Sequence, residues 1–213
     1  MLHLKRQDFD DLDHVYRINM MNSCSGFKSA NLIGTKSNDG VANVAVFSSV
    51  THLGSNPPLL GIVFRPVSDV PRNTYENIKE TGQFTVNHIH LDIIEQAHHT
   101  SAKYDKEISE FDITKLKEEY KNDWHAPFVK GAPIQMALTY CEEYLIKSNN
   151  TIQLIAEIKD LYIKDDIVEE DGFVNLAKAN VVAINGLDGY AIPELKTRLE
   201  YQRPKPEFAN TND

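Results

Sequence analysis

Short apolar segments separated by turn residues dominate the first third of the chain. Residues 27–36 and 41–50 are apolar runs joined by Ser37-Asn38-Asp39-Gly40, and the Asp-Gly pair is typical of a β-hairpin turn. A third apolar run, residues 59–64, follows the chain-breaking sequence Asn56-Pro57-Pro58. Valine and phenylalanine are frequent in these runs, which favours extended structure. The pattern predicts consecutive antiparallel strands.

The pattern then alternates between helical and extended periods. Asn73 or Thr74 can cap a short helix that ends before Gly82, and residues 83–89 alternate as a strand. Residues 91–104 and 113–120 have helical spacing of apolar positions. Two long strand-like runs follow at residues 134–146 and 151–163, and residues 181–184 form a last short run.

Many strands joined by short turns, with few helices, predict a closed or nearly closed antiparallel β-barrel. Closure is favourable because it removes exposed strand edges. Residues 1–203 are predicted to form a single domain. Residues 204–213 contain Pro204 and Pro206 before a polar end, and they are predicted to be a flexible C-terminal tail.

Charge and cysteine content narrow the function classes. The formal net charge is −9, so nucleic acid and anionic membrane surfaces are unfavourable partners. Two cysteines do not make a disulfide framework and fit a reducing compartment. The N-terminus has no apolar signal core, and no apolar run reaches the roughly 18 residues of a membrane span. A cytoplasmic protein is expected.

Several common enzyme motifs are missing from the sequence. It has no Gly-x-Gly-x-x-Gly dinucleotide loop, no Walker-type phosphate loop and no Gly-x-Ser-x-Gly nucleophile elbow. It also lacks a Cys-x-x-Cys pair. These absences leave the folds that bind a cofactor without a glycine-rich loop.

One stretch combines a ring-binding strand with an anion-binding turn. Small and polar residues in the strand Asn43 to Val50 expose backbone groups against which a flat ring system can pack. Arg65 follows downstream, and Arg72-Asn73-Thr74 opens the predicted helix. A helix N-terminus beside an arginine suits a phosphate group. Flavin mononucleotide (FMN) needs both parts.

The order of these motifs resembles the flavin-reductase-like family of FMN-binding split-barrel proteins. The similar segments are listed here: Ala30-Asn31-Leu32-Ile33-Gly34-Thr35, Asp39-Gly40, the strand from Asn43 to Val50, Pro57-Pro58-Leu59, Arg65-Pro66, Arg72-Asn73-Thr74-Tyr75-Glu76-Asn77-Ile78 and Gly82-Gln83-Phe84-Thr85-Val86-Asn87. Ser109-Glu110-Phe111, Ala126-Pro127 and the ending from Gly189-Tyr190 extend the resemblance over most of the chain.

The resemblance implies a mainly β fold: a six-stranded antiparallel split β-barrel with Greek-key connections and a few short helices, assembled as a homodimer. It also implies FMN near the dimer interface. The residues expected along the flavin ring and ribityl chain are Asn43, Ala45, Val46, Phe47, Ser48, Ser49 and Val50. Those expected at the phosphate are Arg65, Arg72, Asn73 and Thr74.

The implied activity is that of a flavin reductase, in which NADH or NADPH passes a hydride to flavin. The flavin ring carries this chemistry, so no catalytic acid or base is assigned. Backbone N–H groups of residues 48–50 are the candidate donors to the reduced ring. A non-catalytic FMN-binding or electron-carrier protein on the same fold is the alternative.

The histidines leave a third hypothesis open. His88, His90, His98 and His99 lie within a dozen residues, a density that occurs in metal sites. No carboxylate or cysteine stands at ligand spacing beside them, so no metal ligand is assigned. Surface or interface positions are the ordinary interpretation of such histidines. The remaining hypothesis is a substrate pocket beside the flavin, with His88, His99, Thr100 and Ser101 as candidate contacts.

Overall fold

The computed structural model describes residues 1–67 and 72–204. The α-helices are α1 (His14–Cys24), α2 (Asn73–Thr81), α3 (Ile94–His99) and α4 (Glu110–Thr114). The strands are β1 (Lys28–Ser29), β2 (Asn31–Lys36), β3 (Ala42–Phe47), β4 (Val50–Ser55), β5 (Pro58–Phe64), β6 (Gln83–His88), β7 (Glu118–Glu119), β8 (Phe128–Val129), β9 (Ile134–Ile146), β10 (Thr151–Ile163), β11 (Ala183–Asn185) and β12 (Gly189–Ala191). No helix among the described residues is long and apolar enough to cross a membrane.

The principal sheet has seven strands in the order β3-β2-β6-β9-β10-β5-β4, where six were expected. The difference arises at residues 41–50, which were predicted as one strand. That strand ends at Phe47, and a new strand begins at Val50. The two edge strands, β3 and β4, are therefore separated by only Ser48 and Ser49. Because so short a link must join both edges, the sheet curls on itself into an incompletely closed barrel.

Side-chain alternation divides the core into two clusters on either side of β2 and β6. Ile33, Phe84 and Val86 face the barrel interior with residues of β5, β9 and β10. Leu32 and Ile89 face the outside, where α3, α4 and β11 cover them. This separation follows from the period-two geometry of a strand. Both faces of the central strands are thus buried within one chain.

The strongest patterns gave the most accurate predictions. The two long strands were predicted with the bounds that β9 and β10 have, and α2 fills residues 73–81. Gly82 ends α2 in the left-handed conformation, with φ of 70°, and its N–H donates to the Ile78 carbonyl at 2.8 Å. The N-terminal cap differs from the prediction, because Arg72 occupies that position without a side-chain cap.

The weaker helical patterns were partly wrong. Residues 91–104 contain a 3-10 turn and then α3, which is only six residues long. The predicted helix at 113–120 is absent: α4 ends before Lys115, whose φ is 63°, and β7 follows. Helix α1 was not predicted, because it buries no residue and has no clear apolar face; Asp13 caps it by accepting from the N–H groups of Val15 and Tyr16.

Candidate functional site

Most apolar side chains of β3 pack in the two hydrophobic clusters. The Phe47 ring packs edge-on against Phe64 with centroids 5.1 Å apart, inside the barrel. Val46 packs against the outer cluster, and Val44 is fully buried there. Ala45 and Val46, like Phe47, keep partial exposure. A ligand along this strand would therefore meet its edge and its C-terminal end.

The turn that follows the C-terminal end of β3 has backbone N–H groups without hydrogen-bond acceptors among the described residues. Ser49 Oγ donates to the Val63 carbonyl at 2.8 Å, which fastens the turn to β5. Val50 is the first residue of β4, and its carbonyl accepts from Ser29 Oγ at 2.8 Å. Within residues 1–67 and 72–204, the N–H groups of Ser48 and Ser49 have no hydrogen-bond acceptor. Two adjacent donors are thus available at the turn where the sequence predicts the flavin.

The predicted phosphate-binding residues lie at the start of α2. Arg72 directly precedes the helix, and its Nε is buried with no hydrogen-bond partner among the described residues. Glu76 makes the first intrahelical bond, to the Arg72 carbonyl at 2.9 Å, so the N–H groups of Asn73 and Thr74 precede it. Arg65 is exposed just after β5. Residues 68–71, between the two arginines, lie outside the described part of the chain.

A directed chain of hydrogen bonds holds α2 against β3. Asn77 Nδ2 donates to Thr35 Oγ1 at 3.0 Å, and Thr35 Oγ1 donates to Asn43 Oδ1 at 3.2 Å. Thr74 Oγ1 donates to the same Asn43 oxygen at 2.9 Å. All four side chains are buried. The start of α2 is therefore fixed beside the strand that carries the candidate ring-binding turn.

Glu110 of α4 completes this chain. Its Oε2 accepts from Asn43 Nδ2 at 2.7 Å and from the Val44 N–H at 3.2 Å. Glu110 is only 4% exposed, and burial raises the pKa of its carboxyl, while the two donated hydrogen bonds partly offset that rise. Because the carboxylate can only accept from the Asn43 amide, it sets that amide with its oxygen towards Thr35 and Thr74.

The network changes how two predicted site residues can act. The side-chain polar atoms of Asn43 are both used inside the protein. The Thr74 hydroxyl gives its proton to Asn43, so only its backbone N–H remains for a phosphate oxygen. Their roles as direct cofactor contacts stay predictions, and the structure assigns both residues to fixing the site's framework.

Sequence reasoning missed Thr35, Asn77 and Glu110 as members of this framework. Asn77 could have been found, since it lies three residues after Thr74 and therefore shares its helix face. Thr35 could have been found as the alternate position to Ile33 on the inward face of β2. No local pattern identifies Glu110, whose partner Asn43 is 67 positions away in the chain.

The four residues predicted to contact a substrate do not line a common pocket in the structure. His88 lines a mainly apolar cleft of about 190 Å³, and burial lowers the pKa of its imidazole to about 4. His99 is exposed and bonded to the Tyr104 hydroxyl at 2.7 Å. Thr100 is buried with its hydroxyl donated to the Ala97 carbonyl at 2.7 Å, and Ser101 is exposed. Of the four candidates, only His88 lines this cleft.

A larger, more open depression of about 440 Å³ includes none of the predicted residues. It is lined by Lys36 and residues 120–125. Its size exceeds that of the His88 cleft, but no group of the hydrogen-bond network reaches it. The candidate site therefore comprises the Ser48 and Ser49 N–H groups and Arg72 Nε, which have no hydrogen-bond acceptor among the described residues.

The four clustered histidines do not converge on one point. His90 contacts Asp92 at 3.5 Å, and His98 contacts the Tyr190 hydroxyl at 3.2 Å, while His88 lines the apolar cleft. In the part of the chain that the structure describes, no three histidine, cysteine or acidic side chains are grouped to hold a metal ion. The geometry gives the metal hypothesis no support.

Comparison with known proteins identifies the family of this chain. Residues 25–181 match the family model described as "Flavin reductase like domain". An uncharacterized protein of Methanothermobacter thermautotrophicus is 28% identical over 153 residues, which cover 70% of this chain and 69% of that protein. The chain belongs to the flavin reductase-like family.

Solved structures share the architecture. A candidate flavin reductase with a split barrel domain from Shewanella frigidimarina is 44% identical, with a TM-score of 0.91 over 95% of this chain and 100% of that chain. Nitrilotriacetate monooxygenase component B from Bacillus cereus is 18% identical, with a TM-score of 0.80 over 93% of this chain and 98% of that one. The fold is the split barrel of flavin reductases.

Proposed function

We propose that this protein is an FMN-dependent oxidoreductase that passes a hydride from NADH or NADPH to flavin. One observation carries the proposal: the Asn43–Thr74 hydrogen bond joins the start of α2, the proposed phosphate site, to β3, the strand that leads to the proposed ring-binding turn. Membership of the flavin reductase-like family supports the same reaction class.

The residues at the site fit a flavin nucleotide. Arg72 has a buried, unpartnered Nε among the described residues, and a phosphate oxygen would satisfy it with a charge-assisted hydrogen bond. The first-turn N–H groups of Asn73 and Thr74 and the positive end of the helix dipole would add to that site. Arg65 is exposed on the neighbouring segment and would contribute charge.

The turn at Ser48 and Ser49 would hold the ring end. Bound FMN would supply the electron-accepting ring that takes the hydride from the nicotinamide. The two N–H groups would donate to the pyrimidine edge of the ring and stabilise the negative charge that reduction places there. The Ser49–Val63 and Ser29–Val50 bonds fix these donors in advance, so little reorganisation accompanies the reaction.

The test begins with the absorbance spectrum of purified protein after FMN is added and unbound FMN is removed by gel filtration. About one retained flavin per chain is expected. Oxidation of NADH and NADPH is then followed at 340 nm with free FMN present, against the same mixture without protein. Retention of flavin without turnover above that background would contradict the reductase proposal and leave the electron-carrier alternative.

We also propose that the working form is a cytoplasmic homodimer. The extended C-terminal segment carries Leu195, Leu199 and Tyr201 on its exposed surface, and such apolar side chains are suited to cover a second copy. Light scattering after gel filtration should give twice the chain mass of 24.2 kDa. A mass of one chain at micromolar concentration would contradict the dimer.

A further inference from the structure

The cleft beside His88 is a built apolar site at one end of the barrel. Phe27, Leu176, Val182 and Pro193 form walls from three separate parts of the chain. Lys28 also borders the cleft, but its ammonium group donates to the Asn22 carbonyl at 2.6 Å. The cleft therefore offers mainly apolar surface, and the Lys28 ammonium at its border is the one charged group among the residues that line it.

Two buried polar atoms without partners belong to His88, which lines the cleft, and to Asn31, its neighbour on the adjacent strand. His88 Nδ1 and Asn31 Oδ1 have no hydrogen-bond partner among the described residues. Asn31 and His88 are directly paired across β2 and β6, so their side chains project from the same face of the sheet. Burying such atoms unpaired costs folding free energy, and proteins usually retain them where a ligand or bound water satisfies them.

The imidazole is suited to recognise a neutral molecule. Because burial lowers the pKa of His88 to about 4, the ring is uncharged near neutral pH and can donate from one nitrogen and accept at the other. Because the lining is mainly apolar, a neutral ring with one hydroxyl or amide would gain both apolar contact and a hydrogen bond, whereas an anion would lose its hydration and meet only the Lys28 ammonium at the border of the cleft.

We propose that this cleft binds a small neutral ring compound and that His88 makes the hydrogen bond to its polar substituent. The cleft adjoins the candidate flavin strand, because Asn31 also pairs with Phe47 and Ser29 bonds to Val50. In this position the bound compound is an electron-accepting substrate or an effector of the flavin site. That last assignment rests on the proposed function, whereas binding itself requires no flavin.

The binding test uses phenol as the probe and flavin-free protein labelled with ¹⁵N-histidine. The chain has eight histidines, and saturable phenol binding should shift the ring nitrogen signals of His88 selectively. His88→Phe should weaken phenol binding by roughly tenfold or more. Leu176→Trp, which narrows the cleft from an exposed 3-10 turn, should also abolish the shift of His88. His52→Phe, on exposed β4, is the matched control and should bind phenol like the wild type.

The contrary outcomes are distinct. No selective His88 shift at millimolar phenol, or equal binding of benzoate, would overturn the proposal. Displacement of phenol by FMN would also overturn it, because the cleft would then be part of the flavin site. FMN retention measured on the same samples reports separately on the proposed function, so a protein that binds phenol but no flavin would refute only the latter.

Discussion

At the scale of the residue, polar side chains of the candidate site build its framework more than they face the ligand. Asn43 is surrounded by Thr35, Thr74 and Glu110, and each of its hydrogen-bonding atoms has an internal partner. Ser49 uses its hydroxyl to hold β5. The groups left for a ligand are backbone N–H groups and the guanidinium of Arg72. Such preorganised donors bind anions and developing negative charge well.

Replacing Arg72 with alanine should weaken FMN binding. The Arg72 guanidinium has a buried, unpartnered Nε among the described residues at the start of α2, and a charged hydrogen bond contributes about 1.5–3 kcal/mol. The dissociation constant should rise roughly 10- to 150-fold, as measured by quenching of FMN fluorescence. Arg6→Ala is the control, because Arg6 only makes an exposed pair with Asp10. An unchanged constant for Arg72→Ala would show that the phosphate binds elsewhere.

Replacing Glu110 with leucine should destabilise the fold and loosen the site together. The change leaves two buried donors, Asn43 Nδ2 and the Val44 N–H, without an acceptor. Each orphaned donor costs about 1–3 kcal/mol, so the free energy of unfolding in urea should fall by about 2–6 kcal/mol. Asp112→Leu, exposed on the same helix, should have little effect. If Glu110→Leu and Asp112→Leu lowered the free energy of unfolding equally, that result would contradict a specific role for Glu110.

How far the sequence predicts this site depends on the range of each contact. Arg72 and Thr74 were identified because a helix start has a local signature in the sequence. Asn43 was identified as a site residue, but its internal bonding was not, because its partners come from β2, α2 and α4. Glu110 was not foreseen at all, since the contact between α4 and β3 depends on tertiary packing.

At the scale of the element, close approach of backbones decides which substitutions are tolerated. A Cβ on Gly34 of β2 would lie 2.6 Å from Thr85 Oγ1 and nearer still to the Pro127 carbonyl oxygen, and this backbone cannot move aside easily. A Cβ on Gly61 of β5 would meet Gln153 Nε2 at 2.5 Å, but that atom ends a flexible side chain. The two glycines are otherwise both buried strand residues.

Gly34→Ala should therefore be much more harmful than Gly61→Ala. Overpacking in a strained core position costs about 1–3 kcal/mol, and Gly34→Ala should lower the free energy of unfolding by at least that amount. Gly61→Ala should cost less than about 1 kcal/mol after Gln153 changes rotamer. Urea unfolding of both variants measures the difference. A smaller loss for Gly34→Ala than for Gly61→Ala would contradict the packing of β2 on the segment around Pro127.

Element boundaries show which sequence signals are strong enough to predict structure. Long alternation defined β9 and β10, whereas the division of residues 41–50 between β3 and β4 was missed because Ser48 and Ser49 are compatible with a continuous strand. The helix predicted at 113–120 failed because Lys115 adopts a positive φ, which charge pattern does not reveal. In both cases tertiary pairing overrode local propensity: β4 pairs with β5 in the barrel, and β7 pairs with β8 in a separate two-stranded sheet.

At the scale of the whole molecule, buried titratable groups couple stability to pH. His88 binds a proton in the unfolded chain with a pKa near 6.5, whereas burial lowers its pKa to about 4 in the fold. The unfolded state therefore binds more protons between these values, and stability must fall as the pH drops from about 6.5 towards 4. Glu110 acts in the opposite sense, because its raised pKa lets the folded state take up a proton more readily.

Comparison of variants isolates the contribution of His88. Between pH 7 and pH 4, the contribution of His88 should lower the free energy of unfolding of the wild type by up to about 3 kcal/mol. The opposite contribution of Glu110 should make the net decrease smaller. His88→Gln removes the titrating ring, so its stability should decline less over that interval, while His52→Gln should follow the wild type because His52 is exposed. Urea unfolding at half-unit pH steps provides the measurement. Parallel curves for wild type and His88→Gln would mean that the ring is solvated in the folded protein, and the cleft would then hold a protonated imidazole below about pH 6.5 instead of a neutral one.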